Sequence, residues 1–335
     1  MTVHYLMELP LSTAYERVDG VLDGGGTIVL DGGVATELQR VRSEDRGGGQ
    51  EPWGTWALFQ GPMEVLDVHR RYVAAGADVI STNTWSVLEA ADQSPSTPSG
   101  PGREPLWAYA ARLGIRLARQ AVDEAGRGGE CAVAFCANSA LLDRRAQGRL
   151  ELLSWAWQAE PPDLVILETL EAVPDDLALE TIEMVTATGL PVWVSFRRGR
   201  DAMSRADGTP VPDPDPGAFG AALGRLEEIG VRAILVNCVP AAGIRETVES
   251  LRSATALPVG CYPNLGHGAG AEWEFDPGVG PGDYAALARS WIDAGARVIG
   301  GCCGVTPEHV AALRGAVGSA PPPEPLGTAA CLRYI

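Results

Sequence analysis

The sequence is poor in positive charge. Its 335 residues hold 26 Lys and Arg against 43 Asp and Glu, a formal net charge of −17. So negative a surface repels phosphate backbones and anionic lipid heads, which argues against nucleic acid and membrane as partners and serves solubility. Long apolar runs are missing as well: none approaches the ~20 residues of a bilayer-spanning helix. The stretch Met1–Leu11 lacks a basic n-region and carries Glu8 among its apolar residues, so no signal peptide is expected and a cytoplasmic location is. Histidine is scarce, at 4 residues, which leaves little for an imidazole-based metal site. Cysteine is present but odd in number, at 7, in a large chain without an export signal. That favours reduced thiols or metal ligands over a disulfide framework. Oligomeric state is left open by the sequence.

What is present is a repeated unit: a short apolar run, a loop, then an amphipathic helix. The runs are Thr27–Gly33, Ala77–Asn83, Cys131–Asn138, Asp163–Thr169, Pro191–Phe196, Ala233–Cys238, Pro258–Asn264 and Arg297–Cys303. Rich in Val, Ile, Leu, Ala and Cys, they read as parallel strands covered on both faces. Helices are expected over Met63–Ala75, Leu106–Ala125, Leu150–Gln158, Val173–Thr188, Ala218–Ile229, Ile244–Ala254, Gly282–Ala294 and Pro307–Val317. Eight such units predict a single-domain (β/α)8 barrel, with a doubly wound open sheet as the runner-up. The expected organisation is a peripheral segment over residues 1–20, the barrel over 21–318, and a Pro-rich tail over 319–335. Loops after the strands are long, at Arg40–Gly61, Ala90–Pro105, Arg197–Pro216 and Leu265–Pro281. In a barrel these loops build the catalytic face, although their Gly, Pro, Asp and Ser content also suits plain irregular surface.

Polar residues collect where the strands end: Asp31, Asn83, Asn138, Glu168, Ser195, Asn237 with Cys238, Asn264, and Cys302 with Cys303. A barrel packed only for stability has no use for such a ring. Cys302 and Cys303 sit in Gly-Gly-Cys-Cys-Gly. Adjacent residues of a strand point to opposite faces, so the two thiols can share an ion only if the chain leaves the strand there, which Gly300, Gly301 and Gly304 permit. The pair alone reads equally well as small buried apolar side chains. With Cys238 as a third thiol the preferred reading is a zinc site with one open position, the pattern of a catalytic centre. Cys131, Cys136 and Cys261 read as core, and Cys331 as incidental. His69 and His309 fall on outer helices and read as structural, while His267 lies in a mouth loop within reach of a substrate. Asp23–Gly26 (DGGG) lacks the spacing of a phosphate-binding loop and reads as a turn.

The stretches DGGVATEL (31–38), VHRRYVAAGADVISTNTWSV (68–87), LVILETLEAVPD (164–175), VNCVP (236–240), YPNLG (262–266) and GARVIGGCCGVTPEHVAAL (295–313) resemble the homocysteine S-methyltransferase family, in family order. The resemblance implies a (β/α)8 barrel that holds Zn2+ through Cys238, Cys302 and Cys303. It implies that Asp31 and Glu168 act at the catalytic centre by holding the homocysteine ammonium. It implies further that backbone amides near Gly32 and Gly33 receive the carboxylate, and that Asn83, Ser195, Asn237 and Asn264 shape the substrate pocket. The implied reaction moves a methyl group from a cationic donor to the homocysteine thiolate, giving methionine. A chain of this length has no room for folate and cobalamin domains. The acidic stretch Glu171–Asp176 and the segment Asn83-Thr84-Trp85 resemble the branch using S-methylmethionine or S-adenosylmethionine more than the betaine branch. The Gly-rich loop Arg40–Trp56 and the basic loop Arg197–Asp207 depart from the family pattern. They leave open a different thiol acceptor. Betaine as donor, a zinc-thiolate binding protein without turnover and a barrel enzyme that uses no metal are the competing readings.

Overall fold

A computed structural model describes residues 9–45, 55, 57–88, 105–142, 146–170, 175–197, 215–269 and 272–318. The tail expected from residue 319 lies outside the described residues, as do most of Ala90–Pro105 and Arg197–Pro216 and part of Arg40–Gly61.

Eight parallel strands appear in the expected order: β1 (Ile28–Val29), β2 (Val79–Ser81), β3 (Ala132–Ala137), β4 (Leu164–Leu170), β5 (Val192–Phe196), β6 (Ala233–Pro240), β7 (Val259–Asn264) and β8 (Val298–Ile299). Each pairs with its neighbour in sequence, β8 returns to pair with β1, and a bridge between Leu30 and Val79 joins β1 to β2. The sheet therefore closes, and the chain is a (β/α)8 barrel rather than an open doubly wound sheet. The surrounding helices are α1 (Thr13–Asp23), α2 (Val34–Asp45), α3 (Ala57–Gln60), α4 (Pro62–Ala74), α5 (Leu106–Glu124), α6 (Ala146–Ala159), α7 (Asp176–Thr186), α8 (Pro216–Ile229), α9 (Ile244–Ala254), α10 (Pro281–Asp293) and α11 (Pro307–Val317).

Strand alternation sorts the apolar residues into two cores. Val29, Ile80, Val133, Phe135, Val165 and Val194 face outward against the helices. Ile28, Leu30, Ala132, Ala134, Ile166 and Trp193 fill the barrel interior. Both faces of every strand are thus buried, which is why the strands read as unbroken apolar runs. Of the segment expected to be peripheral, residues 13–20 form most of α1. Its Ala14, Tyr15, Val18 and Leu22 join the interior core, and the Trp193 indole donates to the Tyr15 hydroxyl at 3.3 Å. α1 closes the floor of the barrel, where the inner strand residues would otherwise meet water. Asp78 fastens that floor: its carboxylate accepts from the Val29 amide at 2.9 Å and from Arg17 at 3.1 Å, and pairs with Arg314 of α11.

Candidate active site

The strand C-termini open into a cavity of about 280 Å³, and its wall carries Asp31, Asn83, Glu168, Cys238, Cys302 and Cys303. The Sγ atoms of Cys238, Cys302 and Cys303 all lie within 4.8 Å of one another. No other group of His, Cys, Asp or Glu suited to a metal occurs among the described residues.

Local backbone explains how two adjacent cysteines serve one point. After β8 the chain turns, and its amides are taken up one at a time. Gly301 N donates to Asp31 O at 2.9 Å, Cys302 N to Pro263 O at 2.9 Å, and Cys303 N to the Asn264 Oδ1 at 3.1 Å. Gly304 has φ +81°, and a Cβ there would sit 1.7 Å from the Leu265 carbonyl oxygen, so only glycine fits. Cys238 is itself left-handed, at φ 57°, where the β6–β7 register shifts between Asn237 and Pro240. Backbone strain of this kind in a non-glycine residue clusters at functional sites.

The thiols share their protons unequally. Cys302 and Cys303 donate toward Cys238, whose thiol is held well below its ordinary range, helped by the Arg197 charge and by the Asn264 amide at 3.8 Å. The same contacts hold Cys302 and Cys303 above theirs. These mutual contacts single out Cys238 as the most acidic of the three thiols.

Asp31 and Glu168 are both buried at the cavity wall. Burial pushes the Asp31 carboxyl up to about 8, against the pull of the Ser81 amide that it accepts at 2.7 Å. Burial likewise pushes Glu168 up to about 7. Two desolvated carboxyls beside one cavity favour a cationic ligand, which would let both ionise.

The other expected residues divide. Asn83, Gly32 and Gly33 line the cavity. The Gly33 amide is already committed to Val305 O at 3.1 Å, which takes it away from a substrate carboxylate. Ser195, Asn237 and Asn264 are not on the cavity wall. Ser195 and Asn237 are buried behind it, the Ser195 hydroxyl donating to the Asn237 Oδ1 at 2.7 Å. Asn264 braces Cys303 and Cys238 as described. His267 pairs with Glu274 at 3.2 Å across an exposed hairpin, His267–Ala269 with Glu272–Glu274, and stays off the wall. His309 caps α11, its Nδ1 accepting from Thr306 N at 3.3 Å. Cys131, Cys136 and Cys261 are buried, and Cys136 also reaches the cavity wall from the inner face of β3. Thr169, Tyr262 and Trp85, none of them among the expected pocket residues, line the same cavity. Trp85 was legible as the residue after Asn83-Thr84. Tyr262 was legible as an inward position two before Asn264.

A closed barrel with thiols and buried carboxyls converging at the C-terminal mouth has the layout of a barrel enzyme. The sequence pattern of homocysteine S-methyltransferases matches residues 28–317, and the chain belongs to that family of enzymes. It is 29% identical to homocysteine S-methyltransferase YbgG of Bacillus subtilis (strain 168) over 88% of this chain and 95% of the relative. It is 27% identical to homocysteine S-methyltransferase 4 of Zea mays, over 92% and 94%. The apo crystal structure of the homocysteine methyltransferase MmuM from Escherichia coli superposes with a TM-score of 0.61 at 25% identity, over 90% of this chain and 99% of that one.

Proposed function

We propose that this protein transfers a methyl group from a sulfonium donor, S-methylmethionine or S-adenosylmethionine, to the thiol of L-homocysteine, giving methionine. The observation that carries the reading is the meeting of three thiols and two buried carboxyls at one cavity of about 280 Å³.

The thiols fit zinc. Tetrahedral zinc with Zn–S bonds of ~2.3 Å places its sulfurs roughly 3.8 Å apart. Cys302 and Cys303 already stand at 3.9 Å, and three protein thiols leave a fourth position for substrate. Cys238, Cys302 and Cys303 would hold the ion, which supplies the Lewis acidity that keeps a fourth, substrate thiol deprotonated near neutral pH.

The chain's own residues account for the rest. Asp31 and Glu168 receive the substrate ammonium through charge-assisted hydrogen bonds. The N-terminus of α2, whose Val34, Ala35 and Thr36 line the cavity, offers first-turn amides, which have no partner within a helix, to the carboxylate in place of Gly33. Held at both ends, the homocysteine thiolate attacks the methyl carbon in line. The C–S bond of the sulfonium breaks, its electron pair stays on the departing neutral thioether, and no proton moves. Transition-state charge is smaller than ground-state charge, so a cavity lined mostly by apolar surface favours the step. Reduced thiols and an acidic surface suit a cytoplasmic enzyme of small molecules.

A donor panel tests the reading. Zinc-loaded protein is incubated with homocysteine and S-methylmethionine, S-adenosylmethionine or betaine, and methionine is quantified. Methionine from a sulfonium donor is the expected result. Zinc-loaded protein that makes none with either sulfonium sinks the assignment.

A further inference from the structure

Asn237 occupies a place that substrate binding does not explain. It is buried behind the cavity wall, and its side chain ties three neighbouring strands together. The amide oxygen accepts from the Ser195 hydroxyl of β5 at 2.7 Å and from the Thr169 backbone N–H of β4 at 3.2 Å. The amide nitrogen donates to the Thr169 hydroxyl at 3.0 Å.

The two ends of this clamp are the strained points of the barrel. Thr169 and Cys238 are the only non-glycine residues with positive φ among the described residues, at 61° and 57°. Each sits where a strand register slips: β4 against β5 between Leu167 and Leu170, and β6 against β7 between Asn237 and Pro240. A slipped register frees backbone groups from the ladder, and Asn237 takes up the Thr169 N–H so released. Thr169 follows Glu168, and Asn237 precedes Cys238. One amide therefore bonds the neighbour of the carboxylate and is itself the neighbour of the thiol.

We propose that Asn237 is a positioning residue that fixes the distance between the Cys238 thiol and the Glu168 carboxyl, with Ser195 holding its amide in the required rotamer. The proposal rests on the reading that the thiol site and the carboxyl bind opposite ends of homocysteine. Spacing then matters only for a ligand that engages both. A residue that merely supported the fold would affect every ligand of the metal alike.

The test uses that difference. The protein is loaded with cobalt(II), whose thiolate charge-transfer absorption reports the cysteine site. Homocysteine and 2-mercaptoethanol, a thiol without an ammonium, are each titrated while the spectrum is followed. In Asn237→Ala, homocysteine affinity falls by about tenfold or more, as for other groups that orient a metal-site residue, while 2-mercaptoethanol affinity stays within about twofold. Ser195→Ala, which removes a single bond, moves the same way by a smaller factor, and it decides the matter if Asn237→Ala fails to load cobalt. Equal losses for both thiols, or no loss for either, overturn the positioning role. A parent protein that binds homocysteine no better than 2-mercaptoethanol overturns the underlying reading instead, and the proposal with it.

Discussion

The charge of Glu168 is among the forces that hold the neighbouring Asp31 carboxyl up, to about 8, after burial itself. Both folded values lie above the ordinary ones of 3.8 and 4.5, so between about pH 4 and pH 8 the folded protein binds more protons than the unfolded chain. Stability contributed by these groups therefore falls as pH rises through that window. An ammonium ligand reverses the preference by favouring both carboxylates. Homocysteine binding to the zinc-loaded protein should release protons and tighten from pH 6 to pH 8. Calorimetry in two buffers of different ionisation enthalpy measures the release. Binding with no proton released beyond that of the thiol itself would count against the ammonium site. Asp31→Asn should remove the upper part of the pH dependence.

The metal prediction separates the cysteines. Cys302→Ala and Cys238→Ala each remove one of three converging thiols, and tightly bound zinc should drop from one equivalent to under ~0.1 after dialysis against a weak chelator. Cys261→Ala removes a buried thiol that packs in the outer core, and its zinc content should match the parent. Elemental analysis gives the answer directly. Equal zinc in Cys302→Ala and the parent would mean the ion sits elsewhere.

The barrel was legible because its strands are buried on both faces, which writes eight unbroken apolar runs into the chain. α9 and α11 match their expected spans because Gly243, Thr306 and Pro307 mark where they begin. α2 was not legible. Its sequence, VATELQRVRSED, has a weak apolar stripe, and it starts directly after the Gly32–Gly33 pair, where a glycine turn was the simpler reading. α1 was not legible either, because it precedes the first strand–helix unit and only the closed barrel shows that its apolar face has an interior end to cover. At the mouth, the chemistry-bearing types stood out at strand ends, so Asp31, Glu168 and the cysteines were readable. Asn237 and Ser195 have the same polar character, but whether a strand-end side chain points into the cavity or behind it depends on the bulges at Leu167–Leu170 and Asn237–Pro240. No residue type announces those slips.

Gly304 offers a prediction about the turn itself. Any Cβ at φ +81° is strained, and here it would also collide with the Leu265 carbonyl oxygen and approach the Trp273 indole nitrogen. Gly304→Ala must push Leu265 away, and the Leu265 amide is the group that donates to Cys303 O at 2.9 Å. The expected cost is on the order of 2 kcal/mol or more, because strain and clash add. Zinc affinity should weaken in parallel, since the displaced segment holds Cys303. Calorimetric Tm and a chelator competition report the two quantities. A variant with parental Tm and parental zinc affinity would show that the turn relaxes freely.

Asp78 supplies the opposite case, at the end of the barrel away from the chemistry. Its carboxylate is 1% exposed and meets Arg17 of α1, Arg314 of α11 and the Val29 amide. Removing it takes the carboxylate away from the buried Val29 amide and from two partly exposed guanidinium groups, which keep only backbone carbonyls such as Glu130 O and Gly76 O, and such a loss costs roughly 2–4 kcal/mol. Asp78→Ala should therefore lower the unfolding free energy by about that amount. The active cavity lies at the other face, beyond the interior core of Ile28, Leu30 and Trp193, so turnover per folded molecule should stay parental. Denaturant unfolding and initial rates at a temperature well below the lowered Tm measure the two effects separately. A fall in kcat/KM at full folding would show that the floor of the barrel transmits strain to its mouth.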